Sequence, residues 1–140
     1  MRVLFDTNVL LDVLLARQPF AEVAVRLLSL ADRGRIQGVI CATTLTTIHY
    51  LATKVVGWRQ AEKHIREILS IFEVAPVDRN VLERALEMRL PDYEDAVLHE
   101  AGRVAAVAGI VTRNGKDFAG GKLHVFTPDE LLSAALAPEA

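Results

Sequence analysis

Cysteine is almost missing from this 140-residue chain, in which Cys41 stands alone. No intrachain disulfide can form, so the core must hold the fold, and a reducing cytoplasm is the expected setting. Charge of one sign is missing as well: the formal net charge is −2. That excludes a general electrostatic footprint for nucleic acid. Any polyanion would have to be held by local basic patches, metal ions or a partner. Long apolar runs are also absent. Asp6 and Asp12 interrupt the N-terminal segment, which therefore lacks the apolar region of a signal peptide. Arg103 interrupts the Ala/Val/Gly-rich stretch near residue 105, so no membrane span is expected. Internal repeats, low-complexity tracts and linkers are not found.

What remains is the material of a core. The chain is 51% hydrophobic, rich in Leu, Val and Ala, and of ordinary domain size, so residues 1–140 are expected to form one domain. Arg2 to Phe5 reads as a short buried strand that ends in turn-prone Asp6-Thr7-Asn8. Val9 to Ala16 predicts a helix, stopped near Pro19. A second helix is expected over Phe20 to Arg33, where Val23, Leu27, Leu28, Leu30 and Ala31 recur at helical spacing before Gly34.

Gly38 to Ala42 predicts the second strand. Helices follow over Thr44 to Val56 and Trp58 to Phe72. Val74 to Val77 is a third strand whose Pro76 suits an edge. Asp78 caps a helix running to Arg89, and Asp92 to Ala108 is a longer, alanine-rich helix. Ile110 to Thr112 and Leu123 to Phe126 complete the strands. Thr127, Pro128 and Glu130 carry the signature of a final helix start. Strands alternating with helices predict an α/β domain with a mainly parallel sheet of about five short strands, covered on both faces.

Asp6 sits in apolar surroundings, and burying an unpaired carboxylate costs several kcal/mol. In such sheets functional groups gather at the carboxyl ends of strands. Asp6 ends the first strand and Asp117 follows the fourth. Asp95 opens the helix leading into that strand, on the face shared with Leu98 and Gly102, away from Glu100 and Arg103 on the expected exposed side. Three neighbouring carboxylates repel one another unless a proton or cation intervenes, and Mg²⁺ with its oxygen ligands fits that need.

Each acid also has a structural explanation. Asp6 suits an Asx-turn, Asp92 before Asp95 fits helix capping, and Asn114-Gly115 makes Asp117 a turn residue. Asp12 is expected at the surface or in helix packing, His64 exposed, and His49 structural rather than chemical.

Taken together, Asp6-Thr7-Asn8 after the first strand, Asp92-Tyr93-Glu94-Asp95-Ala96 opening a helix, and Val111-Thr112-Arg113-Asn114 with Lys116-Asp117-Phe118 resemble the PIN-domain family. With the Thr-Pro-Asp-Glu-Leu-Leu ending, they look most like its bacterial VapC-like toxin branch. The resemblance implies a three-layer α/β/α fold and a Mg²⁺- or Mn²⁺-dependent ribonuclease. It assigns metal and catalysis to Asp6, Asp95 and Asp117, with Asp92 and Glu94 as additional acids. Thr7, Asn8, Thr47, Thr112 and Asn114 would orient ligands or bound water, and Arg113 and Lys116 would meet the RNA backbone. It also implies an RNA substrate, a small antitoxin and a homodimer. One departure stands out: many active relatives carry a glutamate where this chain has Thr47. The competing expectation is a catalytically weak or inactive PIN-like module that binds RNA or a partner protein.

Overall fold

Val3, Leu4 and Phe5 have no exposed surface, although they point in alternate directions. Val3 and Phe5 enter a core built with Leu10, Leu27, Ile48, Ile68 and Leu131. Leu4 enters a second core with Val81, Val97, Leu98 and Phe118. A strand covered on both faces reads as one unbroken apolar run, which is why this one lacks alternation. Each such side chain contributes about 1.5–3 kcal/mol by leaving water.

The structure is a computed structural model describing residues 1–138; the last two of the expected 1–140 unit lie outside it. The elements are β1 (Arg2–Phe5), α1 (Thr7–Leu14), α2 (Ala21–Asp32), β2 (Gln37–Cys41), α3 (Ala42–Val56), α4 (Trp58–Ile71) and β3 (Glu73–Ala75). They continue with α5 (Arg79–Glu87), α6 (Tyr93–Val104), β4 (Gly109–Val111), a 3-10 turn (Gly115–Phe118), β5 (His124–Phe126) and α7 (Pro128–Leu136). All strand pairs are parallel, in the order β3-β2-β1-β4-β5. Helices α1, α2, α3, α4 and α7 supply the first core and α5 and α6 the second, giving the expected three layers. The chain runs outward from β1 to β3, then restarts on the other side of β1 at β4. Between the carboxyl ends of β1 and β4 lies the switch point where such sheets bind ligands.

Most predicted elements occur within a few residues of their expected bounds. β3 is an edge strand and ends just before Pro76. Asp78 caps α5 by accepting the Val81 N–H at 2.9 Å. At α7, Thr127 and Glu130 bond reciprocally to each other's backbone N–H and Pro128 occupies the first turn. The long alanine-rich helix is shorter than expected. It stops at Val104, Ala106 turns to φ 58°, and the Ala108 N–H donates to the Arg2 carbonyl at 2.8 Å. Helix propensity there yields to the sheet.

Two placements are corrected. Glu100 is buried, not exposed, because Arg103 and Arg84 bring their guanidinium groups to it. The Arg103 hydrogen bond holds its carboxyl below the usual range. His64 is half-buried, since α4 turns it toward Leu10, Leu14 and Leu28. Gly102 behaves as expected: a Cβ there would lie 3.1 Å from the Leu4 side chain, so α6 can press onto β1.

Candidate active site

Asp6 is placed by β1 and used by α1. Its backbone N–H pairs with the Val111 carbonyl at 3.0 Å, which seats it beside the end of β4. Its Oδ1 accepts the Thr7 N–H at 2.8 Å and so caps α1. That bond also starts the helix earlier than the leucine pattern alone indicated. Oδ2 accepts the Thr112 hydroxyl at 2.7 Å. The Asn8 amide reaches Thr112 at 3.2 Å and lies 3.4 Å from Oδ2, while the Asn114 N–H donates to Thr112 at 3.1 Å. Thr7, Asn8, Thr112 and Asn114 therefore form a polar frame around one carboxylate. Thr44, which the sequence reading passed over, joins it through a 3.3 Å contact with Thr7. It lies three residues before Thr47 on the same helical face, and that spacing was the available signal.

The other acids converge from α6 and the 3-10 turn. Burial raises the Asp6 carboxyl pKa against the Thr112 and Thr7 hydrogen bonds, and the charges of Asp117 and Glu94 raise it further. Asp95 is pushed up to about 7, first by burial and then by Asp6, Asp92, Asp117 and Glu94. These carboxylates raise one another's pKa, as like charges held near each other do. Asp92 is committed to capping: its Oδ1 accepts the Asp95 N–H at 3.1 Å. Glu94 instead reaches Thr47, whose hydroxyl lies 3.5 Å from its Oε1. A carboxylate from α6 thus stands beside the position on α3 where the expected glutamate is missing.

The oxygen-rich donors suit a hard divalent cation. They do not form a closed cage, since among the described residues no three acidic, His or Cys side chains stand ready to hold an ion. Mg²⁺ keeps several waters of its own, so an open arrangement fits that ion's habits.

Behind the acids lies an ion cluster that the sequence did not reveal. Asp12 is buried, which agrees with the helix-packing alternative and rules out the surface one. Arg17 donates to its Oδ1 at 2.9 Å, and Arg113 grips both oxygens at 2.7 and 3.1 Å. Arg113 also lies 3.9 Å over the Phe20 ring. Its guanidinium is thus occupied within the protein, whereas Lys116 is exposed. His49 is exposed on α3.

The sequence pattern of the PIN domain matches residues 2–116. The chain is similar to Ribonuclease VapC1 of Aquifex aeolicus (strain VF5), with 22% identity over 134 residues and 92% of each chain covered. Among solved structures it is similar to VapBC2 from Rickettsia felis bound to a DNA fragment from its promoter. There the TM-score is 0.72 at 16% identity, covering 91% of this chain and 98% of the other. A toxin-antitoxin complex from Klebsiella pneumoniae gives a TM-score of 0.68 at 28% identity, covering 90% and 97%. With the strand order, the Asp6 frame and the acids of α6 all in place, the matched pattern settles the kinship: this chain belongs to the PIN domain family.

Proposed function

We propose that the chain, acting as one PIN unit over residues 1–140, is a divalent-metal-dependent endoribonuclease and the toxin of a toxin-antitoxin pair. The observation that carries this reading is the electrostatic coupling of Asp6, Asp95, Asp117 and Glu94 at the β1/β4 switch point. Asp6, Asp95 and Asp117 would hold Mg²⁺ or Mn²⁺, with Glu94 adding the charge that Thr47 cannot. When bound, the cation polarises a phosphodiester and supplies a hydroxide-like nucleophile near neutral pH.

The chain's own residues do the rest. Thr112 and the Thr7 N–H fix the direction of the Asp6 oxygens, so the carboxylate needs little reorganisation to act. Asn8 and Asn114 hold Thr112 in turn. Asp95, its carboxyl pushed up to about 7, is only partly ionised near neutrality and would bind a cation best once deprotonated. Lys116, exposed within the 3-10 turn, is placed to meet a backbone phosphate. Arg113, held by Asp12, fixes the start of that turn.

The family relatives named above include assemblies of toxin with antitoxin, which supports a small antitoxin as partner. A second copy of the chain is the other expected partner, and Tyr50, Val55 and Trp58 on α3 and α4 offer exposed apolar surface. No helix among the described residues is long and apolar enough to cross a membrane.

A second reading, a PIN module that binds RNA or protein without cutting, is favoured by Thr47, which supplies no charge. One experiment separates the two: cleavage of end-labelled RNA by wild type and Asp6→Asn, with Mg²⁺, Mn²⁺ or chelator. Metal-dependent cleavage lost in Asp6→Asn is the expected result. A folded wild type that cuts no RNA and binds Mn²⁺ poorly would favour the binding module.

A further inference from the structure

A cleft of about 590 Å³ opens on the α5–α6 side of the molecule. Its lining includes Arg84, Arg89, Arg103 and Lys122, against the carboxylates of Glu87 and Glu100. In a chain of net charge −2, this is a local excess of positive charge. Glu100 is engaged by Arg103 and approached by Arg84 at 4.0 Å. Arg89 and Lys122 are exposed, and neither makes an ion pair among the described residues.

The cleft has a built wall. His99, buried in α6, accepts the Leu123 N–H at Nε2 at 3.1 Å and so pins the loop that carries Lys122. Gly121 permits this contact, since a Cβ there would come within 2.6 Å of that nitrogen. With Nε2 accepting, the neutral ring carries its proton on Nδ1. That buried donor has no partner among the described residues, and an unmet donor costs about 1–3 kcal/mol. His99 itself lines the cleft, which places this buried, unpaired donor in the wall of a basic surface.

We propose that this cleft is a secondary binding site for the phosphates of single-stranded RNA, through which the substrate strand extends beyond the acidic centre. The proposal rests on the ribonuclease reading. It supplies the local basic patch that a polyanion requires of an acidic protein. Along α6, Asp95 and Arg103 are eight residues apart, about 12 Å along the axis and about 80° around it, so a strand of a few nucleotides must bend round α6 to reach both. Arg103 would serve through its outer N–H groups, while Arg89 and Lys122 act as unpaired cations.

The test uses Arg89→Ala/Lys122→Ala, both exposed positions outside the cores. Binding of fluorescein-labelled oligouridylate is followed against salt in an Asp6→Asn background, where cleavage is absent. At roughly 0.7 per phosphate contact on a single strand, the double variant should lower the magnitude of the logarithmic salt slope by about 1.4. In the Asp6 background, kcat/KM for a long oligonucleotide should fall more than for a minimal one. Cleavage by the wild-type chain with an unchanged slope in the variant would overturn the cleft and leave the ribonuclease reading standing. No metal-dependent cleavage by wild type would instead count against that reading. An unchanged RNA slope with lost binding of a polyglutamate peptide would overturn the proposal in favour of an acidic protein partner.

Discussion

The guanidinium of Arg113 closes on both oxygens of Asp12, a residue 101 positions earlier in the chain, at 2.7 and 3.1 Å. This pair ties the strand end that carries Thr112 to α1, the helix that Asp6 caps.

Removing one partner of a buried pair leaves the other charge uncompensated. Asp12 is buried but its partners Arg113 and Arg17 stay partly exposed, so Asp12→Ala should destabilise the fold by about 1–3 kcal/mol, which urea unfolding would measure. Activity lost at 37 °C should return partly on cooling, because the acids themselves remain. A change within about 0.5 kcal/mol would mean that the cluster is solvated and idle.

Asp95 sets a pH dependence with a definite sign. Its folded carboxyl is raised from 3.8 to about 7, so the folded state holds a proton that the unfolded chain releases. Its stabilising contribution is fully present below pH 3.8 and is lost as pH rises through about 7. Asp6 acts in the same direction. The metal-free protein should show a Tm that falls across this window, and Asp95→Asn should flatten the decline. Mg²⁺ should raise Tm more at pH 8 than at pH 6, with proton release visible by calorimetry in differing buffers. A Tm response to Mg²⁺ that is the same at both pH values would count against Asp95 as a ligand.

Thr112→Val removes the donor that restrains the Asp6 carboxyl and leaves its Oδ2 with only the distant Asn8 amide. Loss of a residue that orients a metal ligand typically weakens metal affinity or activity 10–100-fold. The Mg²⁺ concentration for half-maximal cleavage should rise on about that scale, and Thr112→Ser should recover most of it. Equal behaviour of Val and Ser would reduce Thr112 to a packing residue.

On the proposed reading, Glu94, whose Oε1 lies 3.5 Å from the Thr47 hydroxyl, supplies the acid that position 47 lacks. Glu94→Gln should lower cleavage by about 10–100-fold, and adding Thr47→Glu to it should restore part of the loss. Thr47→Glu alone should destabilise the metal-free protein, because it sets a second carboxylate against Glu94. If Glu94→Gln cuts RNA as well as wild type, the compensation idea is wrong.

What the sequence disclosed was mostly local. Caps at Asp78, Asp92 and Thr127, the β1 run and the edge position marked by Pro76 depend on neighbours a few residues away. The proximity of Asp6, Asp95 and Asp117 was legible because strand ends and a helix start lie at predictable places in a parallel sheet. Pairings across the chain were not legible: Asp12 with Arg113, or the approach of Glu94 to Thr47. Glu100 was misplaced because its charge argued for solvent, while Arg84 and Arg103 were arriving from α5 and from its own helix. The α6 end was misjudged because alanine propensity is local and the pull of β1 on Ala108 is not.

Asp6 has two employments, as a carboxylate facing the other acids and as the group that begins α1. Asparagine starts a helix as well as aspartate does. On the proposed reading, a single-base change to asparagine at this codon would therefore disarm the molecule without dismantling it. The resulting copy would keep its outer surface and could still occupy whatever binds there. At this position, loss of reaction and loss of shape are separable events. If the chain is the toxin proposed above, a population carrying it has a short mutational route to a silent decoy.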